Sequence, residues 1–173
     1  MAQLNFHCNY PVLHGGFENA ISNATLTFVP ISPSDSISWA TANIIAGNGG
    51  TGTRSLSIGL YSLTGSTLSL ANSISGSKDA SFAVGYFSLT AISAAQNITP
   101  GNWWLGMMIS TAGQSNFTIR GNNQINPANA FAGGFIQGRM TVSTSVLPSS
   151  YATSDLDTTG SDAFFTPIII LTA

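Results

Sequence analysis

The stretch Asn97-Ile98-Thr99-Pro100-Gly101-Asn102-Trp103-Trp104-Leu105-Gly106-Met107-Met108-Ile109-Ser110 decides how the rest of the chain is read. Pro100 presets φ at one corner of a turn, and Gly101 accepts positive φ at the next. The run that follows, Trp103 to Ile109, is apolar at odd and even positions alike. Such a strand belongs in the middle of a sheet, covered on both sides. Trp103 and Trp104 then project to opposite faces, so one of them is core.

Working outward, Leu56, Ile58 and Leu60 alternate with Ser55, Ser57 and Gly59; a Thr64-Gly65-Ser66 turn follows, and Leu68 and Leu70 continue the pattern. This reads as a β-hairpin. Ala24 to Ile31 reads as a strand ending before Pro30, and Ser36 to Ile45, which carries Trp39, as one strand running into the glycine-rich turn Ala46–Thr53. Phe82, Val84 and Tyr86 alternate, Phe117–Gly121 is a short strand, and Phe135, Ile136, Met140 and Val142 mark another. The last strand, Phe164–Leu171, contains Pro167, which lacks a ladder donor and so belongs at an edge or a bulge. Short helices fit only at 91–96 and at 127–132, where Asn126 and Pro127 suit a helix start. The expectation is one all-β domain, a jelly-roll-like antiparallel β-sandwich of about eight or nine strands. It divides into an N-terminal arm, residues 1–18, and the sandwich proper, 19–173.

Composition agrees. The 173 residues include 24 Ser, 18 Thr, 14 Asn and 18 Gly, while charged residues make up 6%. Ser, Asn and Gly disfavour helix interiors, Thr favours strands, and the Lys and Glu that clothe helices are nearly absent. At 43% hydrophobic residues the chain is no disordered polar tract. The four bases, Arg54, Lys78, Arg120 and Arg139, and a net charge of −2 exclude a dense phosphate-binding face, so no nucleic-acid partner is expected. The sequence holds no run of 18 apolar residues, so no membrane helix is expected. Its start shows no signal peptide, which points to synthesis in the cytoplasm. A weakly charged surface repels its copies weakly, and charge depletion is typical of interface cores. Much of this surface is therefore expected to be covered by copies of the chain or by a partner.

Chemistry is hard to assemble from these residues. Acid–base work needs paired groups, but the acids are six (Glu18, Asp35, Asp79, Asp155, Asp157 and Asp162) and the histidines two, His7 and His14. Three of the acids share one loop, and Ser75-Gly76-Ser77-Lys78 sits in a glycine-containing stretch rather than on a helix. No catalytic residue and no cofactor is expected. Asp155, Asp157 and Asp162 resemble a calcium loop in their oxygen-rich composition but lack its spacing and a closing Glu; a turn with side chains bonded to their own backbone explains them as well. His7, Cys8 and His14 do not make a four-ligand zinc set. Aromatic or amide side chains that would suit a sugar are Trp104, Asn122, Asn123, Gln124 and Tyr151.

Three motifs carry a resemblance. They are the hairpin Gly59 to Leu70, the turn-and-strand Pro100 to Leu105, and the segment Leu147 to Ala163 with its aliphatic continuation. Together they resemble β-rich virion surface proteins of tailed bacteriophages, the tail-fibre-like and minor structural proteins. The resemblance covers about half of the chain, and its motifs are structural rather than catalytic. It implies a jelly-roll-like fold, assembly as homotrimers and a place on the outside of the particle. Fibres carry an attachment region and a repetitive shaft; here β patterning starts by Ala24. That favours a capsid decoration, or cement, protein bound to the major capsid protein or to another virion protein. The tether would be the arm, with Leu4, Phe6, Tyr10 and Phe17 as its contacts; the same residues read equally as a first strand of the sandwich. The alternative is a tail-fibre domain recognising host-surface glycan.

Overall fold

The computed structural model describes residues 17–20, 25–31, 35–48, 53–79, 85–90, 96–110, 118–123, 138–141, 146–156, 165–167 and 169–172. In chain order the strands are β1 (Phe17–Ala20), β2 (Thr25–Ile31), β3 (Ile37–Trp39), β4 (Thr41–Asn48), β5 (Thr53–Thr64), β6 (Thr67–Asp79) and β7 (Gly85–Thr90). They continue with β8 (Gln96–Ile98), β9 (Trp103–Ser110), β10 (Thr118–Asn123), β11 (Gly138–Thr141), β12 (Ser150–Ala152), β13 (Phe165–Pro167) and β14 (Ile169–Thr172). A 3-10 turn, Thr153–Asp155, is the only helical element among the described residues. The protein is all-β, and every described strand pair is antiparallel.

One six-stranded sheet has the order β11-β2-β9-β5-β6-β12. Its third strand, β9, is the double-sided apolar run, and both of its faces are buried: Trp104 and Met108 on one, Leu105 and Met107 on the other. The second sheet is built around β4 and β10, which diverge after a bulge at Gly47. The C-terminal strands sit in that fork, β13 on β10 and β14 on β4. β3 and β8 form a two-stranded sheet anchored by the fully buried Trp39 and Ile98.

Several expectations change. The strands number fourteen among the described residues rather than eight or nine: two runs that read as continuous are split, β8 and β12 fall where no strand was expected, and β1 forms at the end of the arm. Ser36 to Ile45 breaks at Ala40, so that Trp39 pairs with β8 while β4 joins another sheet. The run Phe164–Leu171 divides likewise: β13 ends at Pro167 and pairs with β10, whereas β14 starts at Ile169 and pairs with β4. β2 does not stop before Pro30 but runs to Ile31, with Pro30 opposite Trp104. By that point β11 has ended, since it pairs only Thr25 to Phe28, so the missing donor breaks no described ladder on that side. The boundary after Glu18 falls inside β1, which pairs with β10 from Phe17↔Gly121 to Ala20↔Thr118. Residues 91–95 and 127–132, the two stretches suited to short helices, lie outside the described residues, and Gln96 opens a strand.

The β5–β6 hairpin is present, closed by Gly65 at φ 60° and Ser66. Its pattern is less simple than alternation suggests. Leu68, Leu70 and Ile74 share parity, yet they end on opposite faces. Ala71 is an extra residue: Leu60 faces Asn72, while Tyr61 faces Leu70. A one-residue bulge flips every side chain beyond it. Leu68 and Leu70 thus join Tyr61 on one face, and Ile74 joins Ile58 on the other.

Candidate functional site

The best-defined constellation is the face carrying Tyr61. Gly59 and Gly106 lie directly opposite each other on β5 and β9. A Cβ on Gly106 would come within 2.7 Å of Tyr61 Cε2 and 3.1 Å of Phe28 Cε1, and one on Gly59 within 2.9 Å of Tyr61 Cε2. The two glycines form a floor on which the Tyr61 ring rests, and any other residue would lift it. Phe28 meets Tyr61 edge-on, with ring centroids 5.0 Å apart, and stacks against Tyr151 at 6.1 Å. Both arrangements suit the aromatic quadrupole.

Residues 146–156 cross this face as a strap. Leu147 and Leu156 are buried in the same cluster as Leu26, Phe28, Tyr61, Leu68, Trp104 and Met108, and Tyr151 packs against it. The Tyr61 hydroxyl donates to the Pro148 carbonyl at 2.9 Å, joining residues 87 apart in sequence. β12 pairs with Thr67–Ser69 of β6, the Leu70 amide donates to Ser149 O at 2.9 Å, and the Thr153 amide donates to Ser66 O at 2.8 Å. Burial pushes the Tyr61 phenol far above its ordinary range, because its ionised form would lose water. Tyr151 is shifted up by burial first and by the nearby Asp155 carboxylate second.

The sugar candidates separate. Trp104 is 6% exposed and belongs to the core cluster, so its ring presents no face to a ligand. Its neighbour Trp103 is half-buried, and its Nε1 donates to Thr99 O at 2.9 Å in an exposed hydrogen bond. Tyr151 is half-buried, its hydroxyl donating to Asp155 O at 3.3 Å. Asn122 and Asn123 lie on β10 opposite Thr166 and Phe165, in the other sheet from Trp104 and Tyr151; Gln124 lies outside the described residues. Of the acidic loop, Asp155 is exposed in the 3-10 turn, where Ser154 Oγ donates to its Oδ1 at 3.2 Å, while Asp157 and Asp162 lie outside the described residues. No group of three or more His, Cys, Asp or Glu side chains that could hold a metal occurs among the described residues. In the arm, Leu4, Phe6 and Tyr10 lie outside them, and Phe17 is the first residue of β1.

The strap contact and the half-buried position of Trp103 are not visible in the sequence. The order Gly59-Leu60-Tyr61 holds the available signal for the first: a large ring two residues beyond a glycine on an otherwise serine-bearing face. Comparisons with protein-family models, with curated proteins and with solved structures find no match.

Proposed function

We propose that this chain is a non-enzymatic structural protein of a tailed-bacteriophage particle, a decoration or cement protein. In this reading it binds the major capsid protein on the outside of the shell, as a homotrimer with a jelly-roll-like sandwich. The observation that carries the reading is the surface of the hairpin between Ser55 and Gly76. Its exposed positions there are Ser55, Ala71, Ser73, Ser75 and the turn from Thr64 to Thr67, without one charged side chain. Such a surface can be covered by a neighbour without burying unpaired charge, which is the costly part of forming an interface. The resemblance in the hairpin, the Pro100 turn and the strap points the same way. The role requires no chemistry of its own: a protein that binds only the assembled shell raises the shell's stability by RT ln(1 + [L]/Kd).

The test adds the protein to shells lacking decoration and follows their disassembly on heating. A disassembly temperature that rises with protein concentration is expected. Stoichiometric binding with an unchanged temperature, or no binding at all, overturns the cement reading. The second reading, a tail-fibre domain that recognises host-surface glycan, is favoured by the partly exposed Trp103. Adsorption of the isolated protein to host cells, with none to shells, would select it.

A further inference from the structure

We infer that the corner formed by Trp103 and the turn Thr99–Asn102 is a binding platform for a neutral saccharide. This deepens the glycan-recognition reading and rests on it. Of the three tryptophans, Trp39 is fully buried and Trp104 is 6% exposed, so Trp103 is the one that is only half-buried. Its ring is held in place: Nε1 is bonded to the Thr99 carbonyl at 2.9 Å, and its strand position is fixed between Ile31 of β2 and Ser62 of β5. A ring fixed in advance loses little freedom when a ligand stacks on it.

Gly101, at φ 139°, carries no side chain beside the indole, and among the described residues a Cβ built there would meet only Trp103 Nε1, at 3.9 Å. The exposed residues of 97–102 are Asn97, Thr99, Pro100, Gly101 and Asn102; the amides and the hydroxyl among them are of the kind that hydrogen-bond to sugar hydroxyls. No charged residue occurs in 96–110, or in 36–48, which supplies the strand paired with β8. The charge nearest along that strand is the exposed Asp35, two residues before Ile37, and it is negative. A π-face set among neutral hydrogen-bonding groups matches the C–H face and hydroxyl rim of an uncharged sugar ring. Residues 35–48 and 96–110 offer no cation to a sialic acid or a phosphorylated sugar.

The experiment uses the full chain on a printed array of neutral and anionic glycans, followed by titration with the best neutral oligosaccharide. Binding is expected for neutral glycans, weakened at least about tenfold by Trp103→Ala and largely kept by Trp103→Phe. Acrylamide quenching of the wild-type protein needs no variant: the bound oligosaccharide should shield the accessible tryptophan. Neutral-glycan binding that Trp103→Ala leaves intact, without shielding, overturns the platform but keeps the glycan reading. Binding to anionic glycans alone also overturns the platform. Absence of binding to any glycan overturns both.

Discussion

The two halves of the β5–β6 hairpin present the same face to different surroundings. Towards the turn, that face carries Tyr61, Leu63, Leu68 and Leu70, and the strap from Leu147 to Leu156 lies over them. Away from the turn it carries Ser55, Ser57, Ser73 and Ser75, and three of these four are exposed. The β5–β6 ladder runs through both halves, and the half near the turn is also bonded along the outer edge of β6, to β12 and Ser149. What differs is the cover. Apolar side chains occupy this face where a distant segment removes them from water, and hydroxyls occupy it where none of the described residues does. The bulge at Ala71 sits between the two regimes and makes the change possible within one strand.

The largest test of this contrast removes the ring that links hairpin and strap. Tyr61→Ala deletes a fully buried aromatic and its bond to Pro148 O. A loss of about 3–5 kcal/mol in unfolding free energy is expected by denaturant titration. A loss below about 1 kcal/mol would mean that the strap is not held through Tyr61. Next in size is Gly106→Ala. Its new methyl group would lie 2.7 Å from Tyr61 Cε2, with a rigid ring rather than a flexible chain end in the way. Overpacking of this kind costs about 1–3 kcal/mol. A neutral result would show that the glycine floor has slack.

How far the sequence discloses this arrangement depends on the range of the interaction. The Trp103–Ile109 run and the Leu56–Ile58–Leu60 alternation are local patterns, and both place their strands as the structure does: β9 is central and buried on both faces, and the hairpin closes at Gly65-Ser66. The break at Ala40 and the bulge at Ala71 are one-residue events inside runs that otherwise look regular, and alternation alone does not mark them. The strap is illegible for a different reason. Tyr61 and Pro148 are 87 positions apart, and nothing near Tyr61 says which segment will cover it. The tryptophan pair shows the same limit: strand geometry requires Trp103 and Trp104 to face opposite ways, but which becomes core depends on the sheet face that Leu147 and Tyr151 cover.

The smallest effect expected at Tyr61 is also the most specific. Tyr61→Phe keeps the ring on its glycine floor and removes only the hydroxyl. At neutral pH the variant should be less stable by about 1 kcal/mol, the net worth of one hydrogen bond. Ser75→Ala, on the uncovered half, should stay within about 0.5 kcal/mol. The pH dependence then separates the hydroxyl from the ring. Burial raises the Tyr61 pKa in the folded state, so the folded protein resists ionisation that the unfolded chain undergoes near its ordinary value of 10.0. The contribution of the Tyr61 hydroxyl is therefore complete below pH 10.0 and is lost as the pH rises above it, since the unfolded state then binds fewer protons than the folded one. Wild type and Tyr61→Phe should converge in stability above that pH and then cross. The other tyrosines are common to both proteins and cancel in the difference. Parallel stability curves from neutral to alkaline pH would show that the phenol is not shielded from water, and that the strap leaves this half of the hairpin as open as the serine half.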